Sequence, residues 1–161
     1  MDDNASSVRC MLLPLKSLNL LVPNSAVAEI IAYSQPRKLP DTSDWFGGVV
    51  LWRGVYVPVV AVEQMCNLDT ATVGPRARIA IIYNPEPDAE LPYFGIHMQD
   101  IPRAYLAEED SMESGTDDDL SPYLLSRVDD DQHARVIPDF DRIIGDLKNE
   151  YNESHLSELN R

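Results

Sequence analysis

Basic residues are scarce in this 161-residue chain: 13 Lys plus Arg stand against 27 Asp plus Glu, a formal net charge of −14. Nucleic-acid backbones and anionic membrane surfaces are bound through clustered Lys and Arg, and no basic run is present. The composition therefore argues against nucleic acid as a partner and favours basic protein surfaces. Cysteine is equally sparse. Cys10 and Cys66 are the only two, without CxxC spacing, and both lie in apolar surroundings that suit buried free thiols. Long hydrophobic runs are missing as well. The stretch Cys10 to Val22 is broken by Pro14, Lys16 and Asn19, short of the ~20 residues a membrane helix needs. The start, Met1-Asp2-Asp3-Asn4, is acidic where an export signal is basic. The expectation is a cytoplasmic protein without membrane insertion.

Site chemistry is also absent. Cys10, Cys66, His97, His133 and His155 show no metal-ligand spacing. The runs Asp117 to Asp119 and Asp129 to Asp131 lack the glycine and distal Glu of a calcium loop. No nucleophile elbow, phosphate-binding glycine loop or dinucleotide fingerprint occurs. No catalytic residue, metal or cofactor is expected.

What the sequence does contain is short β signals. The chain is 44% hydrophobic, enough for a core, and its length suits one domain or two small packed units. Val8 to Leu15 and Leu18 to Val22 flank Lys16-Ser17 as a hairpin. Ala26 to Tyr33 is apolar except for Glu29. From Gly47 to Val60, two β-branched and aromatic runs flank Arg53-Gly54, where Gly54 can adopt positive φ. Both runs are apolar at nearly every position, as in strands covered on both faces. Pro58 cannot donate to a ladder, which predicts an edge strand or a strand end. Ala61 to Asn67 suits one or two helical turns.

Ala77 to Tyr83, Leu91 to Met98 and the weaker Ile101 to Leu106 are further strands. Gly95 within the second predicts a bulge or a close approach. Tyr123 to Val128 and Arg135 to Ile137 form a hairpin around Asp129 to His133. Glu108 to Ser121 is strongly acidic and reads as a solvated loop. Asp139 to Asn149 is a helix, capped by Asp139, with Phe140, Ile143, Ile144 and Leu147 on one face. Evenly spaced short strands plus a closing helix predict small β-barrels, and the similar β content of the two half-chains predicts two subdomains.

The segment Leu20 to Val60 resembles the CheW family of chemotaxis coupling proteins. The motifs are Val27-Ala28-Glu29-Ile30, Leu39-Pro40, Gly48-Val49, Arg53-Gly54 and Val57-Pro58-Val59-Val60, in the family's order and spacing. Phe94-Gly95-Ile96-His97-Met98 and the Asp139 helix extend the likeness more loosely over residues 8–148, leaving 1–7 and 150–161 as flexible termini. Three positions depart from the family pattern: Ala61-Val62 in place of Asp-Leu, Trp52 before the Arg-Gly, and the longer acidic segment.

The resemblance implies a mainly β fold of two five-stranded SH3-like barrels with a short and a C-terminal helix. It implies a monomeric, non-enzymatic adaptor that grips a chemoreceptor signalling tip and the regulatory domain of a chemotaxis-type histidine kinase. The family also includes auxiliary adaptors of pilus-motility systems, and a module binding only receptor or only kinase stands as an alternative. A small β-barrel ligand-binding protein or enzyme is a further one. By the resemblance, Val27 and Ile30 contribute to a receptor groove, and Glu29 and Arg53 form an ion pair near the surface. Gly48 and Gly54 occupy backbone positions where a side chain would clash. The competing readings are core packing for Val27 and Ile30, a structural pair for Glu29 and Arg53, and plain turns for the glycines.

Overall fold

A computed structural model describes residues 7–69, 73–86, 90–108, 114–115, 121–129, 134–151 and 159. The expected acidic loop, the tip of the last hairpin and the two termini fall largely outside the described residues.

Among the described residues, eleven strands and two α-helices follow one another as β1 (Ser7–Pro14), β2 (Asn19–Pro23), β3 (Val27–Ala32), β4 (Phe46–Trp52), β5 (Val55–Val60), α1 (Val62–Met65), β6 (Arg78–Tyr83), β7 (Tyr93–Met98), β8 (Arg103–Glu108), β9 (Ser114–Gly115), β10 (Leu124–Asp129), β11 (Ala134–Pro138) and α2 (Phe140–Glu150). They form two sheets. Sheet A runs β8-β1-β2-β11-β10-β9 and sheet B runs β3-β6-β7-β5-β4. Sheet B has the expected five strands, and sheet A has five plus the two-residue β9. The two packed SH3-like subdomains with a closing helix are as expected, but they are not the two half-chains. Sheet B is one continuous stretch inserted between β2 and β8. Strand pairing across the chain ends, β1 with β8 and β2 with β11, decides this, and no local pattern announces it.

Alternation along the strands assigns each face. In β2, Leu20 and Val22 enter a core shared by both sheets, while Leu21 turns to the opposite side with Cys10 and Ala107. In sheet B, Ala80, Ile82, Phe94, Ile96 and Met98 join the same shared core, and Val50, Trp52, Val57, Val59, Ile79 and Ile81 form a second core on the other face. Helix α2 closes the shared core with Ile143, Ile144 and Leu147. Asp139 caps it as expected, its carboxylate accepting the Arg142 N–H at 3.2 Å. Cys10 and Cys66 are both free thiols, each pushed above the ordinary thiol range chiefly by burial.

Pro58 does not lie in an edge strand: β5 is flanked by β4 and β7. The register explains why it is tolerated. Pro58 lies opposite Val49, and Val49 directs both its N–H and its C=O away from β5, to Arg37 at 2.9 and 2.8 Å. This is a non-hydrogen-bonded pair, so no ladder bond to β4 is lost. Pairing with β7 starts only at Val59. Gly95 shows no bulge; it keeps regular register, and a Cβ there would lie 2.9 Å from Ile79 Cγ2 and 3.2 Å from Val59 Cγ2.

Glu63 joins the two sheets with a polar clamp. Only 2% exposed, its carboxylate accepts the backbone N–H of Lys16 at 3.0 Å and of Ser17 at 2.9 Å, the tip of the β1–β2 hairpin. Removing a buried acceptor leaves its donors unsatisfied at ~1–3 kcal/mol. Glu63→Ala is therefore expected to lower unfolding stability by about that amount, measured by denaturant titration. An unchanged midpoint would show that water replaces the carboxylate at no cost.

Candidate functional site

The β4–β5 hairpin turns through Arg53 (φ 50°) and Gly54 (φ 80°). Positive φ at both central residues marks a type I′ turn, whose twist matches the flanking strands. Glycine at 54 serves conformation alone, since a Cβ there would meet nothing within 4 Å. The expected clash at this position is absent. Gly48 does behave as expected: its φ is +122°, and a Cβ would lie 2.3 Å from the Arg37 carbonyl oxygen. Gly48 sits at a bulge in β4, where Arg37 bridges onto the strand.

The turn carries Arg53 to the other edge of sheet B. Its Nη2 lies 2.7 Å from Glu29 Oε1 on β3, with the side chains 69% and 37% exposed. β3 and β4 are opposite edges of this sheet, so the ion pair links strands that no ladder connects. Beneath it lies an aromatic series. The Arg53 guanidinium stands 4.8 Å over the Trp52 ring, Trp52 meets Tyr93 edge-on at 4.9 Å, and Tyr93 meets Tyr83 at 5.6 Å. Trp52 thus gives Arg53 a cation–π platform that a small aliphatic residue could not. Leu51 and Val55, 64% and 40% exposed, flank the pair.

Val27 and Ile30 lie elsewhere on β3. Both are half-buried and packed against the shared core, as are Met11 and Leu18 from the β1–β2 side. A bulge at Ala28 lets them share that side. The six expected residues therefore fall in three places: Glu29, Arg53 and Gly54 at the hairpin tip, Val27 and Ile30 along the seam between sheets, and Gly48 at the bulge. Sequence reasoning missed the Trp52–Tyr93–Tyr83 series and the Glu63 clamp, which join residues far apart in the chain.

The family model for the CheW-like domain matches residues 9–148. The chain belongs to the CheW-like domain family. Among solved structures, the scaffolding protein TtCheW from Thermoanaerobacter tengcongensis shares this fold, with a TM-score of 0.67 and 15% identity over 81% of this chain and 88% of that one. No curated protein matches. The departures of this CheW-like chain acquire a local meaning. Ala61 stands at the N-cap of α1 without a side-chain cap, which an Asp there could supply, and Val62 is fully buried in the shared core. Asp100 is held below the usual carboxylate range by the Ile101 N–H and by Arg76 at 2.7 Å. Among the described residues, no three His, Cys, Asp or Glu converge as a metal site, and no helix is long and apolar enough to cross a membrane.

An exposed pair contributes ~0–1 kcal/mol, whereas forced left-handed backbone costs ~1–2 kcal/mol before any clash. Arg53→Ala is expected to shift unfolding stability by less than about 1 kcal/mol, and Gly48→Ala by about 2 kcal/mol or more. Parallel denaturant curves check this; the reverse order would overturn the assigned geometry.

Proposed function

We propose that this CheW-like chain is a cytoplasmic adaptor that couples a chemoreceptor signalling tip to the regulatory domain of a chemotaxis-type histidine kinase. Its activity is geometric, not catalytic: it holds two partners so that movement in one biases the conformational equilibrium of the other. The observation that carries the reading is the arrangement around β3. One side of that strand offers Val27 and Ile30 at an apolar seam shared by both sheets, and Glu29 is tied to Arg53 at the hairpin tip. An apolar trough suits the packing of a helical tip. A separate exposed surface presents Arg53 and Tyr83 over the buried Trp52, and Arg and Tyr are residue types enriched where protein interfaces bind most tightly. Two distinct surfaces are what a coupler requires and a one-partner module does not.

The test is a pull-down of the purified chain against the receptor tip and the kinase regulatory domain, separately and together. Binding to both, and a ternary complex, is the expected result; binding to one alone would favour the auxiliary module. Val27→Asp places a charge at the seam and is expected to weaken receptor binding by ~2 kcal/mol or more while kinase binding persists. If Val27 belongs only to the core, this substitution unfolds the chain and both partners are lost. Arg53→Glu, at an exposed site, tests the second surface without that ambiguity.

A further inference from the structure

A cavity of about 200 Å³ opens at one end of sheet A, lined by Leu12, Pro14, Asn19, Asp100, Arg103 and Arg135. Strand alternation brings all but Asp100 onto one face, since residues two apart on a strand share a side. Leu12 packs with Cys10, Leu21, Tyr105, Ala107 and Ile137 in the small core on the face of sheet A turned away from the shared core. Pro14 follows Leu12 by two positions on β1. Asn19, Arg103 and Arg135 precede Leu21, Tyr105 and Ile137 by two positions on β2, β8 and β11. The register sets these residues side by side across four strands: Arg103 lies opposite Leu12, Pro14 opposite Asn19, and Asn19 opposite Arg135.

Arg135 gives the wall a fixed cation. It is only 8% exposed, its Nη1 donates to the Tyr105 hydroxyl at 3.2 Å, and its guanidinium carbon lies 4.3 Å from the Tyr105 ring centroid. Stacking on the ring orients the guanidinium before any ligand arrives. Asp100 belongs to the wall, but its charge is answered there: its carboxylate accepts the Arg76 Nε–H at 2.7 Å and the Ile101 N–H at 2.6 Å. The Pro14 carbonyl accepts the Gln99 N–H at 2.9 Å, which ties the floor of the cavity to the residue that follows β7.

Charge and spacing together select the ligand class. Arg76, Arg103 and Arg135 against Asp100, three charges against one, leave a local surplus of two positive charges on a chain whose total is −14. A dianion balances that surplus. The two guanidinium groups of the wall come from β8 and β11, with β1 and β2 between them. Three strand spacings of ~4.8 Å set their backbones about 14 Å apart, with the apolar side chains of Leu12 and Pro14 in the interval. A compact dianion such as phosphate reaches one guanidinium at a time. A molecule with a carboxylate at each end reaches both, pairs each in the bidentate manner of Arg with carboxylate, and lays its hydrocarbon middle on Leu12 and Pro14. Sites for drug-sized ligands span ~300–1,000 Å³, so this smaller cavity suits a chain of about four or five carbons. We propose that the cavity binds a small dicarboxylate, one carboxylate at Arg103, the other at Arg135 and Asn19, with its methylene groups over Leu12 and Pro14.

The test is an NMR titration of the full chain with succinate and glutarate, following the Arg side-chain N–H signals and the Asn19 side-chain amide. Monomethyl succinate, butyrate and inorganic phosphate are the matched probes, all at constant ionic strength. At least one dicarboxylate is expected to give a saturable shift at Arg135 and Asn19. Loss of one carboxylate should weaken that response about tenfold or more, and so should Arg103→Gln, at an exposed position. Phosphate should bind more weakly than the dicarboxylate. No saturable shift with either dicarboxylate overturns the proposal, as does an equal response to the half-ester or to butyrate. Phosphate binding as tight as the dicarboxylate, or dicarboxylate binding unchanged in Arg103→Gln, overturns it too, because recognition at two ends is then absent.

Discussion

The structure depends on one shared apolar core. Each sheet is covered on both faces, and the inner face of each finds its cover in the other. Leu13, Leu20 and Val22 from sheet A meet Ile82, Phe94 and Ile96 from sheet B, and α2 seals the join with Ile143 and Leu147. Neither sheet could bury these residues alone, so the relative placement of the two units follows from burial. The Glu63 clamp adds direction to an otherwise non-directional contact. The β1–β2 tip must present two N–H groups to one buried carboxylate, which fixes the hairpin against α1.

In the proposed role, this constraint also sets where partners would bind. The seam exists because the sheets pack together, and Val27 and Ile30 lie half-open along it. The Glu29–Arg53 pair is exposed and weak as a stabiliser. Its position across two strand edges, on a cation–π platform of Trp52, suits recognition better than stability. An adaptor needs such surfaces held rigidly, and the buried strands behind them supply the rigidity.

Much of this was legible in the sequence where the determinants are local. The β1–β2, β4–β5 and β10–β11 hairpins, the Asp139 cap and the apolar face of α2 are all written within a few residues, as is the ion pair by family likeness. Long-range facts were not legible. The nesting of sheet B within sheet A rests on pairings between chain ends, and the half-chain reading failed there. Pro58 read as an edge residue because its register opposite Val49, and the capture of Val49 by Arg37, cannot be inferred from strand composition. Gly54 and Gly48 look alike in sequence, yet one serves a turn and the other a backbone contact. Nothing in the sequence links Glu63 to Lys16 and Ser17, 47 and 46 residues away.

In the proposed role, this CheW-like chain transmits a receptor's state to a kinase. The most direct measurement is the kinase's autophosphorylation rate, reconstituted with receptor in its two signalling states, with and without the chain. The rate is expected to follow the receptor's state only when the chain is present. A rate that ignores the chain, or falls equally in both receptor states when it is added, would contradict it.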